Sequence, residues 1–435
     1  MEMKEKVGRC RRHFGGMFGF FFLIPNDFPP QYLSNLRMNM KKNLNFWALL
    51  SVLAAAVWMN SVCCAENIVT LYAGTMGSPT NDPNIPPSEG IYRMELNMET
   101  GALVNCGLAA KAKGPSWVTS HPTLKDVFYA VAGNEDGTTK ESLIIAFKKQ
   151  ADGSLERLNS VNSGGTCACH MSIHPSGKFA AVANYCSGQV SFIELNADGS
   201  LGKMNAIFKL EGSGPNKARQ RSSCAHFAAS DPNGKFTLCC DLGGDQITSY
   251  FFDETENIWK ENADWLQTRT ASGAGPRHLA FAPNGKYVYV LNELSCTLDA
   301  FAYDEQSGAL TLVQSAPMLP PGYRGANKAA AIDISRDGRF LYVTNRGANL
   351  ITVFALDADP VNGEKMEAGV VLDPIQYVPA GGEFPRFAGL DPTGNFLFVP
   401  CKKTHNVNVF RVHPVTGKLT QVSSAQIAWC TSIAF

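Results

Sequence analysis

The chain has 435 residues, in which 38 Lys plus Arg balance 38 Asp plus Glu, so no basic surplus marks a nucleic-acid partner. At 45% hydrophobic and 17% charged it reads as an ordered globular protein, which excludes the disordered and fibrous classes. The charge is unevenly spread: residues 1–65 hold eight basic and three acidic residues, which leaves 30 against 35 in the remainder.

Residues 1–65 read as an upstream segment followed by a signal peptide. Lys41 and Lys42 precede an apolar run from Phe46 to Met59, and Ser61-Val62-Cys63-Cys64-Ala65 then leads into polar Glu66-Asn67. That order is a charged region, an apolar region and a small-residue cleavage site. The run is shorter than the about 20 residues a membrane helix needs. Cleavage after Ala65 is therefore expected to give an exported protein, periplasmic or secreted, with no stable membrane span. The Phe-rich stretch before Met38 is foreign to a signal peptide, so translation is expected to begin at Met38 or Met40. Of 13 Cys, ten follow Ala65, an even number in a compartment that permits disulfides. Cys239 and Cys240 are adjacent in one strand and must face opposite ways, so buried free thiols fit as well as bridges do.

From residue 66 onward a repeat governs the chain, and residues 66–435 read as one domain. A turn ending in Gly precedes an aromatic-rich strand at His174-Pro175-Ser176-Gly177, Asp231-Pro232-Asn233-Gly234, Ala282-Pro283-Asn284-Gly285, Ser335-Arg336-Asp337-Gly338 and Asp391-Pro392-Thr393-Gly394. These glycines are separated by 57, 51, 53 and 56 residues, and a degenerate copy lies at His121-Pro122-Thr123-Leu124. Four short antiparallel strands fit each unit, the period of a propeller blade. No helical period separates the strands, which excludes a parallel α/β fold. Units begin near Gly114, Thr166, Ser223, Ala274, Ala326 and Gly382. The segment 429–435 resembles a first strand and Ile68 to Gly74 a second, so the two ends complete a further blade. The expected fold is all-β, a seven-bladed β-propeller closed by pairing of the N- and C-terminal strands.

In such a blade the start of strand one and the end of strand two meet on one rim. Strand one opens with Cys169-His170, His226-Phe227, Arg277-His278, Ala330-Ala331 and Arg386-Phe387. Strand two closes with Asn184-Tyr185, Asp241-Leu242, Asn292-Glu293, Asn345-Arg346 and Cys401-Lys402. The loop 212–220 brings Arg219 over the same mouth. Arg forks suit a carboxylate or phosphate, and His and Glu can move protons. The same residues have duller uses: an inner-strand His can be a structural hydrogen-bonder, and Asn at a corner can satisfy backbone groups. Cys167, Cys169, His170 and His174 do not form a metal set, because they point to different faces and rims. No phosphate loop or nucleophile elbow occurs, and no metal or cofactor is expected.

The strings Gly-Pro-Arg-His-Leu-Ala-Phe-Ala-Pro-Asn-Gly-Lys (275–286), Tyr-Val-Leu-Asn-Glu-Leu-Ser (289–295), Thr-Asn-Arg-Gly (344–347) and Phe-Pro-Arg-Phe (384–387) resemble the lactonase family of seven-bladed propellers. That family includes propeller-type 6-phosphogluconolactonase and carboxy-muconate lactonizing enzyme. The resemblance runs from about Val69 to Phe435 and implies a site at His170, Arg219, His226, Arg277, His278 and Glu293. The chain departs from the family pattern at Cys401, where Asn is usual, and at Cys224, where His is usual. The implied function is hydrolysis of a sugar lactone, phosphorylated if the family's best-known activity holds. Arg219 and Arg277 are then expected to stabilise the oxyanion, with Glu293 and His170 sharing the roles of base and acid. His226, His278, Asn292, Asn345, Arg346 and Arg386 are expected to bind the small-molecule lactone or sugar. A non-catalytic exported propeller that binds a sugar or protein, and a lactone-forming cycloisomerase, are the alternatives.

Overall fold

A computed structural model describes residues 67–435 apart from 78–84, 86–87, 135–139 and 357–371. The chain divides into two units, residues 1–66 and 67–435. The upstream segment and signal peptide expected over 1–65 lie outside the described residues.

The described residues form seven antiparallel sheets arranged as blades. Six follow in chain order, their innermost strands beginning at Trp117, Ala168, Ala225, Pro276, Lys328 and Gly389. The seventh joins the two ends of the chain, with Cys430–Ala434 innermost against Ile68–Thr75, followed by Gly90–Asn97 and Leu103–Lys111. Its register pairs Tyr72 with Ala434 and Ala73 with Ile433. The ring thus closes through hydrogen bonds between the first and last strands.

The burial pattern explains why these segments are strands. Second strands such as Val127–Ala132, Phe236–Asp241 and Phe396–Cys401 are buried at every position, because a neighbouring blade covers each face. Such continuous apolar runs bounded by turns are the signature of a fully enclosed strand. The fourth strand of the sixth blade, Leu419–Gln426, is mostly exposed. Cores lie between blades: Tyr72 and Ile91 of the seventh pack with Phe128, Ala130, Ile145 and Phe147 of the first. Each fully buried Phe or Ile there contributes about 1.5–3 kcal/mol, so adjacent blades hold one another.

The repeat turns need glycine. Gly177, Gly234, Gly285, Gly338 and Gly394 all have φ between +69° and +76°, where a Cβ is strained. At Gly234 a Cβ would also meet the His174 ring at 2.8 Å, and that ring's Nε2 sits 2.7 Å from the Gly234 carbonyl oxygen, linking one blade to the next. The third blade departs from the four-strand pattern. Its outer edge is two pieces, Ile258–Glu261 and Gln267–Arg269, both paired with Gln246–Asp253. Asn262 interrupts it: its buried amide turns inward and donates to the Ser307 carbonyl of the fourth blade at 2.7 Å.

Candidate active site

At the rim where first strands begin and second strands end lies a cavity of ≈ 640 Å³, lined among others by Tyr185, Arg219, His226, Glu293, Arg346 and Arg386. Glu293, 2% exposed, is its electrostatic centre. One carboxylate oxygen meets Arg219 Nη1 at 2.6 Å; the other meets Arg277 Nε at 2.9 Å and Arg346 Nη2 at 2.7 Å. Burial alone would raise its pKa, but the guanidinium groups of Arg346 and Arg277 outweigh it and hold the carboxyl well below the usual range. Glu293 is therefore ionised, and it is a weak base for the same reason.

The remaining cations of the mouth have no such partner. Arg386 makes no ion pair among the described residues, and its buried Nε has no hydrogen-bond partner. Burial, reinforced by the nearby Arg346 charge, lowers its pKa. Lys402, on the same blade, has its pKa lowered by burial and then by Arg386. Its ammonium lies 5.3 Å over the Trp429 ring and 3.4 Å from Met76 Sδ. Lys328 also lines the cavity. With Glu293 already shared among three guanidinium groups, the mouth carries a surplus of positive charge suited to an anionic ligand.

The three inner-strand histidines differ in position. His226 lines the cavity, and its Nδ1 has no partner among the described residues. Burial and the Arg277 charge push its pKa well below 6.5, against the pull of Glu293, so it is a neutral imidazole at pH 7. His170 and His278 do not line the cavity. The His170 ring packs 3.7 Å from Phe227 and 4.3 Å from Trp117, and its Nδ1 accepts from the Ala228 amide at 3.3 Å. His278 Nε2 lies 2.8 Å from Arg277 Nη1 and so acts as an acceptor. Burial, then Arg277, holds both neutral. With Phe227, Trp117 and Phe387 these rings form an aromatic layer.

Other residues singled out in the sequence take supporting places. Arg277, 1% exposed, does not line the cavity: it braces Glu293 and donates to the Ala330 carbonyl. Asn292 Nδ2 donates to Asp299 at 2.7 Å and Thr297 at 3.0 Å, and Asn345 bonds Thr352 and Asn327, so their amide groups serve their blade corners, while Asn292 Oδ1 is buried without a partner among the described residues. Arg346 is fixed by the Ala329 carbonyl at 2.6 Å. Cys401 is buried against the Ala380 carbonyl.

Several positioning groups carry no sequence motif. Asp245 accepts from Gln220 Nε2 at 2.6 Å and the Gly275 amide at 2.8 Å through one oxygen, and from the Gly273 amide at 2.7 Å through the other. One buried carboxylate thus ties the loop bearing Arg219 to the approach of Arg277. Tyr185 follows Asn184 at the end of a second strand, the position class that also supplies Glu293 and Arg346, so its place at the mouth was readable. Cys167 and Cys186 form a disulfide at the cavity edge, and the other eight Cys among the described residues are free thiols, four of them buried. Cys169, on the cavity wall, has its thiol pushed up to about 12 by burial and is protonated. Among the described residues no cluster of His, Cys, Asp and Glu could hold a metal ion, and no helix is long and apolar enough to cross a membrane.

Residues 70–435 match the family described as Lactonase, 7-bladed beta-propeller. A 6-phosphogluconolactonase of Bacillus subtilis (strain 168) is 32% identical over 357 residues, covering 82% of this chain and 95% of that one. A 6-phosphogluconolactonase of Formosa agariphila is 31% identical, covering 77% and 92%. Among solved structures, the periplasmic gluconolactonase of Pseudomonas aeruginosa superposes with a TM-score of 0.72 at 26% identity, covering 84% of this chain and 98% of that one.

Proposed function

The chain belongs to the lactonase family of seven-bladed β-propellers, and from that membership we propose that its arginine-ringed cavity opens a sugar lactone by hydrolysis. The observation that carries the reading is the arrangement at the mouth: three guanidinium groups on Glu293, an unpaired Arg386, and the neutral His226 in one cavity. The ester carbonyl oxygen is taken by Arg219 and Arg346, which hold their charge in place before the oxyanion develops. Glu293 anchors them. His226, neutral and on the cavity wall, takes the proton of the attacking water in place of His170, which does not line the cavity. A ring-opened alkoxide then requires a proton. Arg386, with Lys402 beside it, receives an anionic substituent of the substrate, which makes a phosphorylated sugar lactone such as 6-phosphogluconolactone the favoured candidate.

Formation of a lactone would use the same cavity, but the relatives named for an activity hydrolyse rather than cyclise. Continuous titration of acid released by the purified protein from a panel of sugar and simple lactones tests the reading. Release well above the spontaneous rate for at least one sugar lactone is expected; none above it overturns the enzyme reading and favours the sugar- or protein-binding propeller.

The same chain is read as exported, periplasmic or secreted. The Lys41 to Ala65 pattern supports this, as do the Cys167–Cys186 disulfide, a bond of oxidising compartments, and the P. aeruginosa relative described as periplasmic. Mass spectrometry of the cell-envelope protein is expected to find an N-terminus at or near Glu66. Peptides from residues 1–37 in the mature protein contradict it.

A further inference from the structure

The lactone-hydrolase reading leaves one proton unassigned, that of the departing ring oxygen. We propose that Tyr185 is a further catalytic residue, donating its hydroxyl proton to that oxygen as the C–O bond breaks. The inference rests on the hydrolase reading but on separate contacts. The Tyr185 side chain lines the cavity between two groups that the reaction uses. Arg219 Nη2 donates to its oxygen at 3.2 Å, and its ring meets the His226 ring edge-to-face at 5.5 Å.

The proton of this hydroxyl is free to move. Because Arg219 Nη2 donates to the oxygen, the hydroxyl hydrogen must point elsewhere, and in the cavity that the side chain lines a developing alkoxide can accept it. Burial raises the Tyr185 pKa against the opposing Arg219 bond, so the group is fully protonated at neutral pH. A phenol is nevertheless a stronger acid than a sugar hydroxyl, and the phenolate it leaves is met at once by the Arg219 charge. The position is also fixed from behind: the Tyr185 amide donates to the Cys167 carbonyl at 3.1 Å, and the next residue, Cys186, is bonded to Cys167.

The steps balance. Water adds to the carbonyl carbon as His226 takes one of its protons, giving a tetrahedral oxyanion on Arg219 and Arg346. The oxyanion then re-forms the carbonyl, the ring C–O bond breaks with its electron pair on oxygen, and that oxygen takes the Tyr185 proton. The His226 imidazolium returns its proton to the Tyr185 phenolate through one water, and the new carboxylic acid ionises to solvent. Lactone and water have become a hydroxy acid, with both side chains restored.

Tyr185→Phe tests this in the full chain, with a sugar δ-lactone and an aryl lactone whose leaving group is a phenol. For the sugar lactone kcat is expected to fall about 100-fold, the lower end for general acid catalysis, with KM changed less than about threefold. The aryl leaving group needs no proton, so turnover of the aryl lactone is expected to stay within about fivefold of wild type. A sugar-lactone kcat within about threefold of wild type, a loss carried by KM, or an equal loss on both lactones overturns the proposal and leaves Tyr185 at most a support for Arg219. A wild-type protein that opens neither lactone overturns the hydrolase reading itself, and this inference with it.

Discussion

Glu293 shows how one residue can be indispensable without moving a proton. Its carboxylate, 2% exposed, has three guanidinium partners at 2.6–2.9 Å. Removing one member of a buried ion cluster leaves uncompensated charge, at a cost of about 3–5 kcal/mol. Glu293→Gln is therefore expected to lose stability by roughly that amount as well as about 100-fold or more in turnover; denaturant unfolding beside lactone kinetics checks both. Unchanged unfolding with lost activity would return Glu293 to the role of base. The histidines make a pH prediction. His170, His226 and His278 are all held neutral by burial, so their folded pKa values lie below the unfolded value of about 6.5. Below that pH the unfolded chain binds more protons, and stability falls as pH falls, by up to about 1.4 kcal/mol per pH unit for each histidine. Urea unfolding between pH 7.5 and 5.5 should show the decline, and His278→Phe should make it shallower. A flat profile would mean that these rings titrate alike in the folded and unfolded chain. At this scale the sequence was half legible. Residue types and rim positions put Arg219, His226, Glu293, Arg346 and Arg386 at one mouth. The strand register does not reveal depth, so it could not show that His170, His278 and Arg277 do not line the cavity, or that Asn292 and Asn345 serve their own corners.

Among the elements, the Gly-ended turn was the most legible because only a left-handed glycine fits it. Gly234→Ala must adopt φ near +71° and press on the His174 ring. A loss of about 1–2 kcal/mol is expected from the backbone conformation alone, read in the unfolding midpoint; an unchanged midpoint would mean that the turn can re-form with another geometry. The disulfide was not legible, since ten cysteines in sequence do not fix a pairing. It closes a loop with a sequence separation of 19 and holds the strand end that bears Tyr185. Chain-entropy arguments give about 3 kcal/mol for such a loop. Reduction should lower the melting temperature of the wild type and lower kcat for the lactone through looser placement of Tyr185 and Arg219, while a Cys167→Ser, Cys186→Ser double variant should show no response to reductant. Nor was the Asp245 pin legible, because an Asp in a corner has no spacing that distinguishes it from an ordinary turn residue. The broken outer strand of the third blade escaped as well: its two pieces carry one strand's worth of pattern, and the buried Asn262 between them looks like any polar loop residue.

For the whole molecule, ring closure was written in the mismatch of the termini: a unit that starts at its second strand at one end and a lone first strand at the other. Deleting residues 430–435 removes the strand paired with Tyr72, Ala73 and Gly74 and exposes an inner edge, so the truncated chain is expected to aggregate. A soluble, monomeric truncation by sedimentation would mean that the other blades close without it. The closed ring matters for function because it brings the corners of several blades, with the groups they carry, round one mouth. The central claim is that this mouth opens lactones, and the measurement that tests it most directly is acid release from 6-phosphogluconolactone by wild type and Arg386→Gln at matched concentrations. Wild type should exceed the spontaneous rate, and the variant should show a KM raised about tenfold or more with kcat little changed, since it loses the unpaired cation and not the machinery around His226. Wild-type release at the spontaneous rate, or a variant indistinguishable from wild type, would contradict the account.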